Sequence, residues 1–125
     1  MEISIDTSNE LPMFAQLIAQ IKQAVITGEL TAGLALPPIR QLASDLGINQ
    51  NTVAKAYKVL ERDKVIVAKG YKGTFVHEDA KANSAIDWGQ KALSIMDSTV
   101  LKLRDAGLTN SEIRLAFTAI MKKNH

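Results

Sequence analysis

Residues 39–60 read IRQLASDLGINQNTVAKAYKVL, and this segment contains two apolar stripes of helical spacing. The stripes repeat at i, i+3, i+4 and i+7 and consist of Ile39, Leu42, Ala43 and Leu46, then Val53, Ala56, Tyr57 and Leu60. Each stripe predicts a short amphipathic helix with one buried face. Gly47 stops the first helix, and Asn49 is a good N-cap for the second. Two short helices this close in sequence must cross steeply, which predicts a helix-turn-helix.

The flanking residues add a helix before this motif and a hairpin after it. Pro12 to Thr27 has apolar residues at helical spacing and is followed by Gly28, which can end a helix. Leu34 and Leu36 can form one short strand before two prolines. Residues 65–68 and 74–77 are β-branched and aromatic runs on either side of the basic, glycine-rich stretch 69–73. We therefore expect a β-hairpin, which after a helix-turn-helix is a wing.

The composition becomes polar and small at residues 78–84, and we place the boundary between two domains after Glu78. Two further helices are expected in residues 79–125. Their apolar stripes contain Ile86, Leu93, Met96, Val100 and Leu103 in one helix and Ile113, Phe117, Ile120 and Met121 in the other. Thr109 and Glu112 have the spacing of a capping box at the start of the last helix. The predicted fold class is mainly α with a small β wing.

Composition excludes several classes of protein. The chain has 125 residues and no cysteine, so we expect neither a disulfide framework nor a thiolate metal site. No apolar run approaches the roughly 18 residues of a membrane span. The acidic N-terminus lacks the features of a signal peptide. We expect a cytoplasmic protein with no membrane partner, no metal and no cofactor.

Positive charge is concentrated in the middle of the chain. Residues 40–72 contain seven basic and three acidic residues, a net charge of +4, whereas residues 1–39 contain one basic and four acidic residues. Such a basic block is typical of a surface that contacts phosphate, although a solvated charged face is the simpler explanation of the charge alone.

The second helix of the motif has the chemistry of a DNA-reading helix. The side-chain amides of Gln50 and Asn51 match the adjacent donor and acceptor of adenine in the major groove. The side chains of Asn49 and Thr52 are short, so we expect them to stay close to the helix backbone and to donate to phosphate there. Lys55 lies one turn beyond Asn51, on the same face. Gln, Asn and Lys on a helix usually do no more than solvate it, but their position after a glycine turn favours DNA contact.

Two further elements can reach the duplex from the side. Arg40, at the start of the first helix of the motif, can contact a phosphate or a base. The wing tip contributes Lys69, Gly70, Tyr71 and Lys72, on a loop of the kind that follows the backbone or enters the minor groove. An ordinary hairpin turn is the alternative for the loop.

Several short motifs together resemble the GntR family of bacterial regulators. They span residues 11–77 and are Pro12-Met-Phe-x-Gln, Ile26-x-Gly-Glu-Leu, Gly33-x-x-Leu-Pro, Ile39-Arg-x-Leu-Ala, Leu46-Gly-Ile-Asn-x-Asn-Thr-Val-x-Lys-Ala-Tyr-x-x-Leu and Gly73-Thr-Phe-Val. The short two-helix tail is similar to the YtrA-type branch of that family. The resemblance implies a dimeric winged helix on a pseudo-palindromic operator, usually a repressor, with DNA contacts at Arg40, Gln50, Asn51, Thr52, Lys55 and the wing around Gly70.

Three features depart from the family pattern. Pro38 stands where serine is common, which removes a possible cap or phosphate contact. Gln50 stands where the family most often has arginine, so that an adenine contact can replace a guanine contact. Gly70 and Gly73 have two residues between them where one is usual, which changes the reach of the wing.

The tail is expected to form the dimer. Two isolated helices bury too little apolar surface to be stable alone, and the same tail of a second chain is the obvious partner. The expected interface residues are Leu93, Met96, Val100, Leu103, Phe117, Ile120 and Met121. Met96, Phe117, Met121 and Trp88 could instead line a ligand site at that interface, and whether a small-molecule effector exists is left open.

Two hypotheses about function come from different classes. The first is a dimeric, sequence-specific DNA-binding regulator of transcription, and the second is a winged helix used only for protein–protein assembly. The basic and amide side chains of the motif and wing favour the first. An enzyme is not expected, because His77 and His125 are far apart and no nucleophile or phosphate-binding motif is present.

Overall fold

The computed structural model describes residues 1–123, and His125 lies outside this range. The chain divides into two compact units, with the division after Ile86. The sequence places the boundary after Glu78, eight residues earlier. The difference arises because residues 80–84 form a short helix that packs on the first unit.

The helices of the first unit agree with the apolar periodicity. They are α1 (Met13–Ile26), α2 (Ile39–Leu46) and α3 (Gln50–Arg62). Both α1 and α2 pack against α3. Gly28, just after α1, has a φ of +84°, a conformation that favours glycine and stops the helix.

A three-stranded antiparallel sheet completes the winged fold. Its strands are β1 (Ala35–Leu36), β2 (Ile66–Ala68) and β3 (Thr74–Val76), in the order β1-β3-β2. Phe75 lies in the central strand β3. It pairs with Val67 of β2 on one side and with Ala35 of β1 on the other. The predicted strand near Leu36 and the predicted hairpin are confirmed, and β1 fixes the base of the wing to the segment that precedes α2.

The core of the first unit lies between the three helices and the sheet. Its largest fully buried side chains are Leu17, Ile21, Val53, Leu60, Val65 and Ile66. The helix α4 (Ala80–Ser84) closes the core by burying Ala80 against it. The sequence does not predict α4, because a helix of five residues has too few positions to show a period.

The N-terminal segment is fixed to α1 by two glutamine side chains. Gln16 is buried, its Nε2 donates to the carbonyl oxygens of Asp6 and Leu11, and its Oε1 accepts from the amide of Asp6. Gln20 exchanges two similar bonds with the backbone of Ser4. Ile3 and Ile5 of this segment pack against the core.

The second unit is a pair of helices, α5 (Trp88–Asp105) and α6 (Asn110–Lys123). Asp87 caps α5 by accepting a hydrogen bond from the amide of Gln90, so Ile86 does not belong to this helix. The predicted capping box of α6 is present, since the amide of Thr109 donates to Glu112 and the amide of Glu112 donates to Thr109 Oγ1. Neither these helices nor the others in residues 1–123 are long and apolar enough to cross a membrane.

Candidate nucleic-acid interface

The turn between α2 and α3 is built by Gly47 and Asn49. Gly47 has a φ of +66°, where a residue with a Cβ atom would be strained. Asn49 is extended, and its Oδ1 accepts a 2.7 Å hydrogen bond from the amide of Asn51. The cap uses the carbonyl oxygen of the Asn49 side chain and leaves its NH2 group able to donate to a ligand.

One face of α3 is held firmly by the core. Its residues Val53, Ala56, Tyr57 and Leu60 are all buried, as the stripe predicts. The Tyr57 hydroxyl donates a 2.6 Å hydrogen bond to the carbonyl oxygen of Pro37, just before α2. Burial raises the pKa of Tyr57 to about 12, so the phenol remains a donor at neutral pH. The apolar stripe predicts that Tyr57 lies in the core, but it does not predict this bond, which joins positions 20 residues apart.

The opposite face of α3 is the candidate surface for DNA. Gln50, Asn51 and Lys55 are exposed, and Thr52 is half-buried. Asn51, Lys55, Lys58 and Arg62 follow one another at i, i+4, i+7 and i+11, which places them on a single face of the helix. The first turn of α3 therefore presents amides, and the following turns present cations.

Arg40 lies in the first turn of α2 and is exposed. The described residues contain no ion pair for Arg40, Lys55, Lys69 or Lys72. Their charges are therefore available to an external anion. Pro38, which precedes α2, supplies no side-chain cap, in agreement with the departure from the family pattern.

The start of α1 lies beside the start of α3. Pro12, Met13 and Phe14 line one concavity together with Asn51, Thr52 and Lys55. The Lys55 ammonium nitrogen stands 4.0 Å from the centroid of the Phe14 ring. The sequence does not place these α1 residues in the site, because no local pattern links positions 41 residues apart.

The wing forms a second, separate part of the site. A 3-10 turn at Gly70–Lys72 makes its tip, and the amide of Lys69 donates a 2.8 Å hydrogen bond to Gly73. The Tyr71 side chain projects into solvent with 97% of its surface exposed. Lys69 lies over the ring of Phe75 at 5.3 Å. The tip is thus a compact, exposed loop with two cations and one aromatic ring.

A small charge cluster fixes the far end of α3. The side chain of Asp63 is almost inaccessible, and its carboxylate contacts Lys22 of α1 at 3.0 Å and Arg62 at 2.9 Å. Desolvation raises the pKa of Asp63, but the hydrogen bonds and charges of Arg62 and Lys22 outweigh it, so that its pKa lies below the ordinary value. Lys64 follows with a φ of +57°, and its carbonyl oxygen accepts a hydrogen bond from Asn83 of α4.

The expected interface residues of the tail are exposed or half-buried within the single chain. Leu93, Met96, Phe117, Ile120 and Met121 are exposed, and Val100 and Leu103 are half-buried. Leu93 leaves 63% of its surface accessible and Phe117 leaves 47%. Trp88, Ile95, Leu101 and Leu115 add further exposed apolar surface to the same two helices. Within residues 1–123, no group of three acidic or histidine side chains could hold a metal ion.

Comparison with known proteins shows what the chain is similar to. Residues 14–76 match the family model described as bacterial regulatory proteins, gntR family. The YtrA transcriptional repressor of Bacillus subtilis is 40% identical over 79 residues, which cover 63% of this chain and 61% of that repressor. The chain therefore spans about three fifths of the length of this relative.

Solved structures give the same picture of the fold. A protein from Listeria monocytogenes described as a transcriptional antiterminator has 32% identity and a TM-score of 0.66, with 97% of this chain and 90% of that chain covered. The AraR DNA-binding domain in complex with an operator has 23% identity and a TM-score of 0.54, with 61% of this chain and 95% of that chain covered. At this identity, the likeness to AraR shows the fold alone.

Proposed function

The chain belongs to the GntR family of bacterial regulatory proteins, and from this premise we propose that it is a sequence-specific regulator of transcription that binds operator DNA. The observation that supports this function best is the division of α3 into a buried apolar face and an exposed face with amides in its first turn and cations beyond it. The matched relatives are transcription regulators, which agrees with the expectation that the chain is not an enzyme.

The roles of the α3 residues follow from their chemistry. An amide offers one donor and one acceptor side by side, which matches adenine and mismatches guanine, whose major-groove edge presents only acceptors. Gln50 or Asn51 is proposed to read an A·T pair. Asn49, with its NH2 group left free by the cap, and Thr52 are proposed to donate to phosphate. Lys55 is proposed to contact phosphate one turn further on.

The flanking elements are proposed to fix the protein on the duplex. Arg40 reaches phosphate or a base edge from α2. The wing tip, with Lys69, Gly70, Tyr71 and Lys72, contacts the backbone or the minor groove. Phosphate contacts set the register and orientation, while base contacts in the major groove supply the sequence specificity.

The tail is proposed to make a homodimer. Apolar surface as large as that of Leu93, Met96, Phe117, Ile120 and Met121 is rarely left open to solvent in a monomer. A two-fold dimer presents two copies of α3, and such a pair requires an operator of two inverted half-sites. Repression is the proposed mode of action, because the Bacillus relative is a repressor.

The test is a binding selection from a randomised duplex library, followed by affinity measurements on the selected duplex at several salt concentrations. The expected result is an inverted repeat and a steep fall in affinity as salt increases. Arg40→Gln should reduce the slope of log affinity against log salt by about one, whereas Lys102→Gln, in the tail, should leave it unchanged. If no duplex is selected and binding does not depend on salt, the protein–protein assembly hypothesis replaces this one.

A further inference from the structure

The ammonium group of Lys55 and the ring of Phe14 form the closest cation–aromatic contact in the described chain. The nitrogen lies 4.0 Å from the ring centroid, well inside the roughly 6 Å range of a cation–π interaction. Phe14 is half-buried and packs against the core, so its ring has a fixed position. Lys55 is exposed and has no acidic partner within residues 1–123. A partly buried ring of α1 therefore holds an exposed cation of α3.

We infer that Phe14 is a positioning residue for DNA binding, because its ring face holds the Lys55 ammonium where that group meets a DNA phosphate. This inference rests on the proposed function and deepens it. Phe14 acts through Lys55 and does not itself need to touch the duplex. The sequence gives no indication of this role, since Phe14 fits the apolar stripe of α1.

An aromatic ring suits this task better than an acidic side chain. A carboxylate would also restrain Lys55, but it would neutralise the charge and compete with phosphate for the same donors. The ring attracts the cation through its quadrupole and leaves the net charge intact. A lysine ammonium has three N–H donors, so those that do not face the ring remain free for a phosphate oxygen.

Restraint of Lys55 also reduces the entropy that binding must remove. The lysine side chain has a flexible stem of four carbons, and it loses much rotamer freedom when it is fixed in a complex. A contact formed before DNA arrives removes part of this freedom in advance. The restrained head group lies in the same concavity as Asn51 and Thr52, so it is fixed next to the residues proposed to enter the groove.

A double-mutant cycle in DNA affinity tests the inference. Phe14→Leu keeps an apolar side chain in the core but removes the ring, and it should weaken binding to the selected duplex by about two- to fivefold. Lys55→Gln should weaken binding further and reduce the salt slope by about one. In the Lys55→Gln background, Phe14→Leu should have no further effect. Phe14→Tyr keeps the ring and should bind no less tightly than the parent.

Two controls separate positioning from a general effect on folding. Lys81 lies beside Val25 and Gly28, at the opposite end of α1 from Phe14. The effect of Phe14→Leu should therefore be the same in the Lys81→Gln background as in the parent. Fluorinated phenylalanines introduced at position 14 keep the shape of the ring while weakening its quadrupole, and affinity should fall as fluorine is added. This series remains decisive if the leucine variant does not fold.

The outcomes distinguish this inference from the proposed function. If the parent protein shows no salt-dependent binding to any duplex, the proposed function fails, and the role of Phe14 fails with it. If the parent binds but the effects of Phe14→Leu and Lys55→Gln add, or if fluorination leaves affinity unchanged, Phe14 is only a core residue. Loss of the Phe14 effect in the Lys55→Gln background, together with the fluorination trend, supports the inference.

Discussion

Asn49 is predicted to have two separable functions, since its side chain uses one atom for the helix cap and another for DNA. Its Oδ1 accepts the 2.7 Å bond from the amide of Asn51, and its NH2 group is left to donate. Asn49→Asp keeps an acceptor at the cap and adds a negative charge at the N-terminus of α3, where the helix dipole favours it by about 0.3–1 kcal/mol. The free energy of unfolding should therefore stay the same or rise slightly.

Binding of DNA by this variant should nevertheless be weak. The aspartate loses the amide donor, and a hydrogen bond to a charged group contributes about 1.5–3 kcal/mol. Its carboxylate also repels a phosphate, by about 1 kcal/mol at 4 Å in full hydration. Together these terms predict an affinity about sixtyfold lower or more. Asn49→Ala should behave differently, because it loses the cap as well and should destabilise the fold by about 1 kcal/mol.

The measurements are thermal or denaturant unfolding and fluorescence anisotropy with the selected duplex, for the parent, Asn49→Asp, Asn49→Ala and Asn49→Ser. Serine is the matched control, since it retains both a cap acceptor and a short donor. Equal destabilisation by aspartate and alanine would show that Asn49 does not cap α3 in solution. Unchanged DNA affinity in Asn49→Asp would show that this side chain does not face phosphate.

Four further predictions concern other parts of the chain. Gln50→Arg should shift the preference at one base pair toward G·C by about 1–3 kcal/mol in a parallel selection, and identical preferences for both proteins would mean that Gln50 does not read a base. Changing Lys69 and Lys72 together to alanine should lower affinity for specific and random duplexes alike and flatten the slope of log affinity against log salt by up to about two. An unchanged slope would show that the wing does not contact phosphate. Lys64→Gly should raise the free energy of unfolding by about 0.5–1 kcal/mol, because the φ of +57° at this position disfavours a Cβ atom. Lys64→Ala keeps the Cβ atom and should not stabilise the fold, so equal effects of the two variants would argue against strain. Phe117→Asp should convert a sedimenting dimer into monomer or aggregate, and a parent protein that is monomeric at micromolar concentration would contradict the proposed dimer.

The helices of the DNA-binding motif could be predicted from sequence because their signals are local. The apolar stripes of α2 and α3 repeat over two or more turns, and Gly47 and Asn49 mark the turn by their own backbone and side-chain chemistry. The candidate residues in the first turn of α3 followed directly from the position of the cap. The roles of those residues toward DNA remain predictions.

The contacts between distant segments could not be predicted in the same way. The periodicity of apolar residues identifies which face of a helix is buried, but it does not identify the element that packs against that face. The bond from Tyr57 to Pro37, the ion pair of Lys22 with Asp63 and the contact of Lys55 with Phe14 all join separate elements. The short helix α4 was missed for a related reason, since the burial of Ala80 against the core, and not a sequence period, stabilises it.

These distant contacts restrain α3 at its middle and just beyond its end. Near its middle Lys55 contacts α1 and the Tyr57 hydroxyl binds the segment before α2, and just beyond its end Asp63 binds Lys22 at 3.0 Å. The 13 residues of α3 span about 20 Å, so contacts at its middle and just beyond its end restrain both its direction and its rotation. Gln50 and Asn51 take no side-chain part in these three contacts. Substitution at the position that reads the A·T pair should therefore change the preferred base pair without changing how the helix is held. Operator preference, and not stability, is thus the property to measure in variants of Gln50 and Asn51.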